Sequence, residues 1–502
     1  MRVVVIGAGF SGLSAACHLA AAGAQVDVVE RHDQAGGRAR AWSEGGFRFD
    51  MGPSWYWMPD VFERFFRSFG REVSDLYELV RLDPSYRVVW PGGDAWNVPA
   101  GRPKLRELFE RHERGGAGKL DQFIAEAGEI YDAAMSDYLF RPSLRFTEFV
   151  DLRLIREVFR LKMTRSMASY ARSLFGTERL ARLVEWPVLF LGASAADTPA
   201  MYSLMSYADM ALGTWYPMGG MHRIIESMVE VATSLGVRFH LGHSVDRISV
   251  ERGRARAVDT SRGSFRADAV LASADYHHVE QHLLEPRHRQ YSERYWSKRT
   301  MSPSSLLFYL GLDGDIGDLP HHTLFFDQDL DTHMDAVYRD PAWPDAPLFY
   351  ACAPSVTDPS VAPAGCSNLF LLIPLAPGLS DSDDMRRRAF DQVMGRLEAH
   401  VGRPLRDRVV IERSYAMRDF EADYSAFQGN AYGMANTLVQ TGPFKPKLRS
   451  SKVEGLYFAG QLTVPGPGMP PSLISGELSA RLLIDDFGLT AGASRETSRS
   501  AG

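Results

Sequence analysis

The residues of this chain best suited to chemistry are grouped around glycines. Near the N-terminus, Gly7, Gly9 and Gly12 follow a β-branched run and open a helical pattern. Gly7 permits a tight turn, Gly9 lets the backbone approach a pyrophosphate, and Gly12 lets the helix lie close on its strand, with phosphate at the helix N-terminus. Glu30 closes a second strand, residues 25–30, at the distance expected of a carboxylate that binds ribose hydroxyls. Directly after it comes a second glycine turn, Gly36-Gly37-Arg38, in which Arg38 offers a bidentate donor beside the pyrophosphate. A nicotinamide dehydrogenase has no evident need of that second turn, so the dinucleotide read from these residues is FAD. Residues 46–54 then read as a short strand ending in the sharp turn Gly52-Pro53-Ser54. Four hundred residues later, residues 456–459 form an apolar strand, Gly460, Gly466 and Gly468 leave backbone NH groups bare to a flat ring, and residues 472–483 start a helix after Pro471. Taken alone, that last segment fits a cofactor turn and a Gly/Pro surface loop equally well.

The elements that must hold these residues are legible in part. Residues 237–241, 245–250 and 266–273 read as strands, and residues 306–310 and 369–372 as buried strands. Trp55, Tyr56, Trp57, Phe62, Phe65 and Phe66 form an aromatic stripe that lines an apolar entrance or packs as core. Residues 152–172 have helical periodicity, with Leu152, Ile155, Phe159 and Met163 on one face and Arg153, Arg156 and Arg160 on another. Such a helix lies on anionic lipid or packs its apolar face inward. Arg386 to Arg388 read as a solvated helix face. The adjacent pairs His277-His278 and His321-His322 lack a chelating interval, so no metal is expected.

The segments GAGFSG, GGRA and FDMGPS together resemble the amine-oxidase-like flavoprotein superfamily, in which they wrap one extended FAD. Within it, Tyr457 to Gly460 followed by Pro465-Gly466-Pro467-Gly468-Met469-Pro470 resembles the signature of the bacterial phytoene desaturases. Residues 301–313, 319–327, 355–378 and 429–441 look like the same family, so the resemblance spans nearly the whole chain. Residues 461–464 depart from it, standing where many members carry small residues, Thr and His.

The resemblance implies an α/β fold: a Rossmann-type FAD-binding domain assembled from residues 1–100, 221–290 and 445–488, and a discontinuous α+β substrate domain from residues 101–220 and 291–444. It implies that Val245 meets the adenine half of FAD and that Gln461, Met469 and Pro470 join the glycines at the flavin. It also places a polar patch near the flavin, to which Arg145, Glu148, Asp151 and Arg153 correspond; their other reading is surface charge on a helix. The implied activity is desaturation of phytoene toward lycopene, on an apolar polyene collected from a membrane surface. Another carotenoid oxidoreductase (a hydroxycarotenoid desaturase or isomerase), an FAD amine oxidase and a non-enzymatic prenyl-binding protein remain alternatives.

Composition agrees. The 502 residues exceed one ordinary core, and a net charge of -6 gives no basic footprint for nucleic acid. Three cysteines without metal or redox spacing fit a reduced, cytoplasmic setting. The chain opens directly on its first strand, which predicts no signal peptide, and no apolar run is long enough to span a bilayer. Membrane contact is therefore expected to be peripheral. Residues 489–502 have the composition of a disordered tail, and self-association into a homo-oligomer is open.

Overall fold

The computed structural model describes residues 1–142, 165–192, 194–437 and 440–489. Its organising element is a five-stranded parallel sheet in the order Leu456–Phe458, Ala269–Ala272, Arg2–Ile6, Gln25–Val29, Arg238–His240. Val3, Val4 and Val5 at its centre are wholly buried. Such continuous β-branched runs suit a parallel sheet, whose two faces are both covered.

One face is covered by the helices Phe10–Ala21, His222–Ser234 and Met469–Phe487. The first and last of these cross almost backbone to backbone. A Cβ on Gly476 would lie 2.2 Å from the Ser11 carbonyl oxygen, and the Ser14 hydroxyl donates to the Leu473 carbonyl at 2.7 Å. The C-terminal helix starts earlier than its sequence pattern, at Met469, because Pro470 and Pro471 occupy first-turn positions where a missing NH costs nothing.

A second, seven-stranded sheet runs in the order Val409–Tyr415, Ser304–Leu312, Ser367–Leu375, Phe349–Cys352, His322–Phe325, Tyr86–Val89, Ala95–Val98. All its pairings are antiparallel except that of Tyr86–Val89 with His322–Phe325. Residues 86–98, which sequence reading placed with the opening FAD section, thus belong to this sheet, because their pairing partner lies far downstream at Thr323 to Phe325. Strict alternation divides the central strands between two cores. Leu306, Phe308 and Leu310 face the helix Asp383–Val401, whereas Leu307 and Tyr309 face the aromatic core of the nucleotide-type region.

The arginine run on that helix corrects the sequence reading. Arg386 is buried, donating bidentately to Asp381 at 2.7 and 2.5 Å and to Asp419 at 2.6 Å. The sequence shows a basic triplet. It does not show that the first member faces a loop acid and a second helix's capping acid. No helix among the described residues is long and apolar enough to cross a membrane.

Candidate functional site

At the carboxyl ends of the parallel strands, where open α/β sheets bind ligands, lies a cavity of about 370 Å³. It is the meeting point of the glycine turns. Gly7 has φ 97° and donates to the Val29 carbonyl at 2.8 Å, which aims the helix that starts at Phe10 into the cavity. Gly36 donates to the Ala8 carbonyl at 2.8 Å, and a Cβ on Gly37 would lie 3.4 Å from the Gly9 Cα, so the two turns press directly together. Gly52 packs under this pair, its absent Cβ only 2.7 Å from the Arg38 carbonyl oxygen.

Glu30 is buried at the cavity edge, accepting from the Ala8 and His32 backbone NH groups at 2.8 and 3.0 Å. These bonds orient the carboxylate while leaving acceptor lone pairs for a ligand hydroxyl. Arg38 is held by the Asn430 carbonyl at 3.3 Å and by Gln461, whose amide oxygen, turned toward it, accepts at 2.9 and 3.2 Å. Its Nε is buried without a protein partner. Burial pulls this guanidinium down from its ordinary pKa, against the opposing charge of Asp275. A buried cation with an open donor facing a cavity suits an anion.

The C-terminal segment closes the opposite side. Gly460, with φ 117°, donates to Ser475 Oγ at 3.0 Å, and Gly468, with φ 109°, precedes the helix Met469–Phe487. The residues expected at the cofactor therefore border the cavity, Pro53, Ser54, Val245, Gln461, Met469 and Pro470 included, except Gly12 and Gly466, the latter packed against the Asn436 side chain. Gly12 lies beneath, where its Cβ would sit 2.0 Å from the Gly7 carbonyl oxygen. Arg145, Glu148, Asp151 and Arg153, with most of the 152–172 segment and the tail beyond 489, lie outside the described residues.

The cavity has a second wall that the sequence reading did not assign to it: Ser305, Leu307 and Leu372 from the seven-stranded sheet, with Met205 and Tyr432. Asp275 also borders it, at the end of strand Ala269–Ala272, where burial pushes its carboxyl up. A strand followed by an acid and a helix turn was the available signal. The aromatic stripe divides: Trp55 and Trp57 border the cavity, while Tyr56, Phe62, Phe65 and Phe66 are core.

Trp57 is held by a buried polar chain. Its indole NH donates to Thr214 Oγ1 at 2.8 Å, and Thr214 and Tyr86 donate to the Asp209 carboxylate at 3.1 and 2.8 Å. Burial pushes the Asp209 carboxyl up to about 7, the two donors opposing it. Its folded pKa thus exceeds the unfolded value of about 4, so its contribution to stability is full below about pH 4 and fades as pH rises through 7. In thermal unfolding scans, Asp209→Asn is expected to match the wild type near pH 4 and to become progressively the more stable of the two toward pH 8. A constant difference in melting temperature across that range would contradict a neutral buried acid.

The chain matches the family of flavin containing amine oxidoreductases over residues 10–484. It is 43% identical over 487 residues to a carotenoid 3,4-desaturase of Haloarcula japonica, spanning 97% of this chain and 98% of that one. To the zeta-carotene-forming phytoene desaturase of Myxococcus xanthus it is 31% identical, over 96% of this chain and 94% of the relative. Among solved structures, putrescine oxidase bound to putrescine superposes with a TM-score of 0.63 at 14% identity, covering 97% of this chain and 99% of that one. Cyclohexylamine oxidase from Brevibacterium oxydans does so with a TM-score of 0.61 at 16% identity, over 97% and 99%. These two share the fold. With the glycine turns, the oriented Glu30 and the unsaturated Arg38 around one cavity, the comparisons identify an FAD enzyme: the chain belongs to the flavin-containing amine oxidoreductase family, and within it stands with the carotenoid desaturases.

Proposed function

We propose that this protein desaturates phytoene, introducing successive C=C bonds toward lycopene with FAD as oxidant. The observation that carries the reading is the single cavity shared by the glycine turns and an apolar wall of Leu307, Leu372, Met205, Trp55 and Trp57. Bound FAD supplies a two-electron acceptor for the hydride of an allylic carbon whose neighbour loses a proton.

In this reading Gly7, Gly9 and the N-terminus of helix Phe10–Ala21 hold the pyrophosphate with Arg38, and Glu30 takes the ribose hydroxyls. Val245 meets the adenine half, and Gly52 to Ser54 with Gly460, Gln461, Gly468, Met469 and Pro470 meet the flavin. A polyene without polar groups is positioned by shape alone, which is the part of Trp55, Trp57, Leu307 and Leu372. The same apolar wall excludes water from the reacting carbons. Such a substrate is collected from lipid, so we place the protein peripherally at a membrane surface. Co-sedimentation with vesicles tests that part separately.

Expression in a host that accumulates phytoene decides the reaction. Each desaturation lengthens the conjugated system, so the extract is expected to redden with loss of phytoene. Unchanged phytoene beside soluble, flavin-loaded protein would exclude the reading. The similarity to a carotenoid 3,4-desaturase favours a second candidate, desaturation at another bond of an already conjugated or hydroxylated carotenoid. Feeding lycopene and hydroxylated carotenoids to the same cells separates the two.

A further inference from the structure

Behind the cavity wall, on the far side of Ser54 and Trp55, the structure gathers three side chains that share no sequence neighbourhood beyond one adjacent pair. A ring nitrogen of His321, one of His322 and the Cys352 Sγ lie within 4.8 Å of one another, and all three residues are buried. Sequence spacing argues against this, since adjacent histidines on a strand point to opposite faces. His322, however, is the first residue of its strand, so alternation does not bind His321, and the two rings stand 4.4 Å apart. The third group arrives by pairing: His322 sits opposite Cys352 on the neighbouring antiparallel strand.

We propose that His321, His322 and Cys352 bind a borderline-soft divalent cation of the zinc type. The orientation of the rings carries the proposal. His321 Nδ1 is engaged by Thr357 Oγ1 at 2.8 Å and His322 Nδ1 by the Tyr350 hydroxyl at 2.6 Å, while Nε2 of both rings is buried with no hydrogen-bond partner. The Tyr350 hydroxyl also lies 3.0 Å from Ser54 Oγ and bonds the Cys352 side chain. His322 Nδ1 is thus already engaged by an outer hydroxyl, and Nε2 is its open nitrogen. This is the arrangement of a metal-ligating histidine, whose remote nitrogen is fixed by an outer partner. Two orphaned imidazole nitrogens in one interior are otherwise unfavourable.

The Cys352 thiol must give up its proton when the cation binds. Zinc–nitrogen and zinc–sulfur bonds of about 2.1 and 2.3 Å place tetrahedral donors roughly 3.5 Å apart, so side-chain rotation must draw the three atoms in from their present spread of up to 4.8 Å. A void of about 20 Å³ bordered by His321, Cys352, Asp50 and Ser54 has room for one water as a fourth ligand. Because the His322 ring stacks on Trp55 at 4.0 Å, a cation here would fix that wall.

The test uses full-length, FAD-loaded protein purified without a metal-affinity tag and given Zn²⁺. Elemental analysis is expected to find about one zinc per chain, and zinc-edge X-ray absorption to show nitrogen neighbours and one sulfur. Cys352→Ser is expected to remove the sulfur shell, and His321→Ala to lower zinc at least tenfold with FAD content unchanged. Zinc below about a tenth per chain after reconstitution, or a wild-type zinc shell without sulfur, would overturn the proposal even if neither variant folds. The outcome does not depend on which carotenoid is the substrate.

Discussion

Gly12→Ala protein is expected to lose its flavin. The added Cβ would lie 2.0 Å from the Gly7 carbonyl oxygen and 3.1 Å from Ser273 Oγ, and the first of these is backbone that cannot swing aside. Relief requires the helix Phe10–Ala21 to move off the sheet by an ångström or more. Its N-terminus then leaves the position where Gly7 and Gly9 face the cavity, and its tight crossing with the C-terminal helix at Gly476 is broken as well. Overpacking of this kind costs about 1–3 kcal/mol where side chains yield and more where backbone is struck. Bound flavin, read from its visible absorbance per purified chain, is expected to fall below about a tenth of wild type, with a lowered melting temperature. Gly118→Ala is the matched control. It lies in the helix Gly116–Ala133 with nothing within 4 Å of its would-be Cβ, and should retain full flavin while gaining up to about 1 kcal/mol. Equal flavin in the two variants would show that helix docking does not govern the site.

Arg386→Met is expected to cost about 3–5 kcal/mol in denaturant unfolding, because it leaves Asp381 uncompensated in the interior. The Asp381 side chain is 4% exposed, and Asp419, the other acid served by Arg386, also accepts from the Ala416 NH at the start of helix Met417–Tyr424. Replacing both partners, Arg386→Met with Asp381→Leu, should recover much of the loss, since a buried pair is weak as net stabilisation but expensive to break. Burial by itself would raise the Asp381 carboxyl, yet hydrogen bonds from Arg386 and the Arg418 NH outweigh it and hold its pKa below the ordinary carboxylate value. This contribution is accordingly present at neutral pH and lost as pH falls below the ordinary carboxylate range through the folded pKa. The difference between wild type and Arg386→Met should shrink in acid. A difference under about 1 kcal/mol at neutral pH would mean that the arginine is effectively solvated, as its sequence context suggests.

The two variants illustrate how unevenly the molecule was legible. Gly12, Gly37 and Gly460 could be named from sequence because each answers a demand of local geometry: a strand, a turn and a helix start within a few residues admit no side chain there. Glu30 and Arg38 were readable for the same reason, each sitting at a set distance from such a turn. Arg386 was misread because a run of arginines looks alike whether its first member meets water or two acids on other elements. The aromatic stripe reads as entrance or as core, and the structure divides it. Trp55 and Trp57 reach the cavity while Tyr56 between them is core, and composition does not separate the faces of an irregular segment.

By itself, then, the sequence determined the glycine turns that border the cavity, the FAD cofactor and the parallel-sheet frame, since all three are written in strand–turn–helix units whose glycines are sterically obligatory. Tertiary structure alone decided the rest. The apolar wall of Leu307 and Leu372 depends on which face of a fully buried strand meets the cavity, and a continuous apolar run carries no sign of that. Asp275 beside Arg38, and Cys352 beside His321 and His322, are brought together by strand pairing across long stretches of chain. Their chemistry therefore comes from register, a property no single segment possesses.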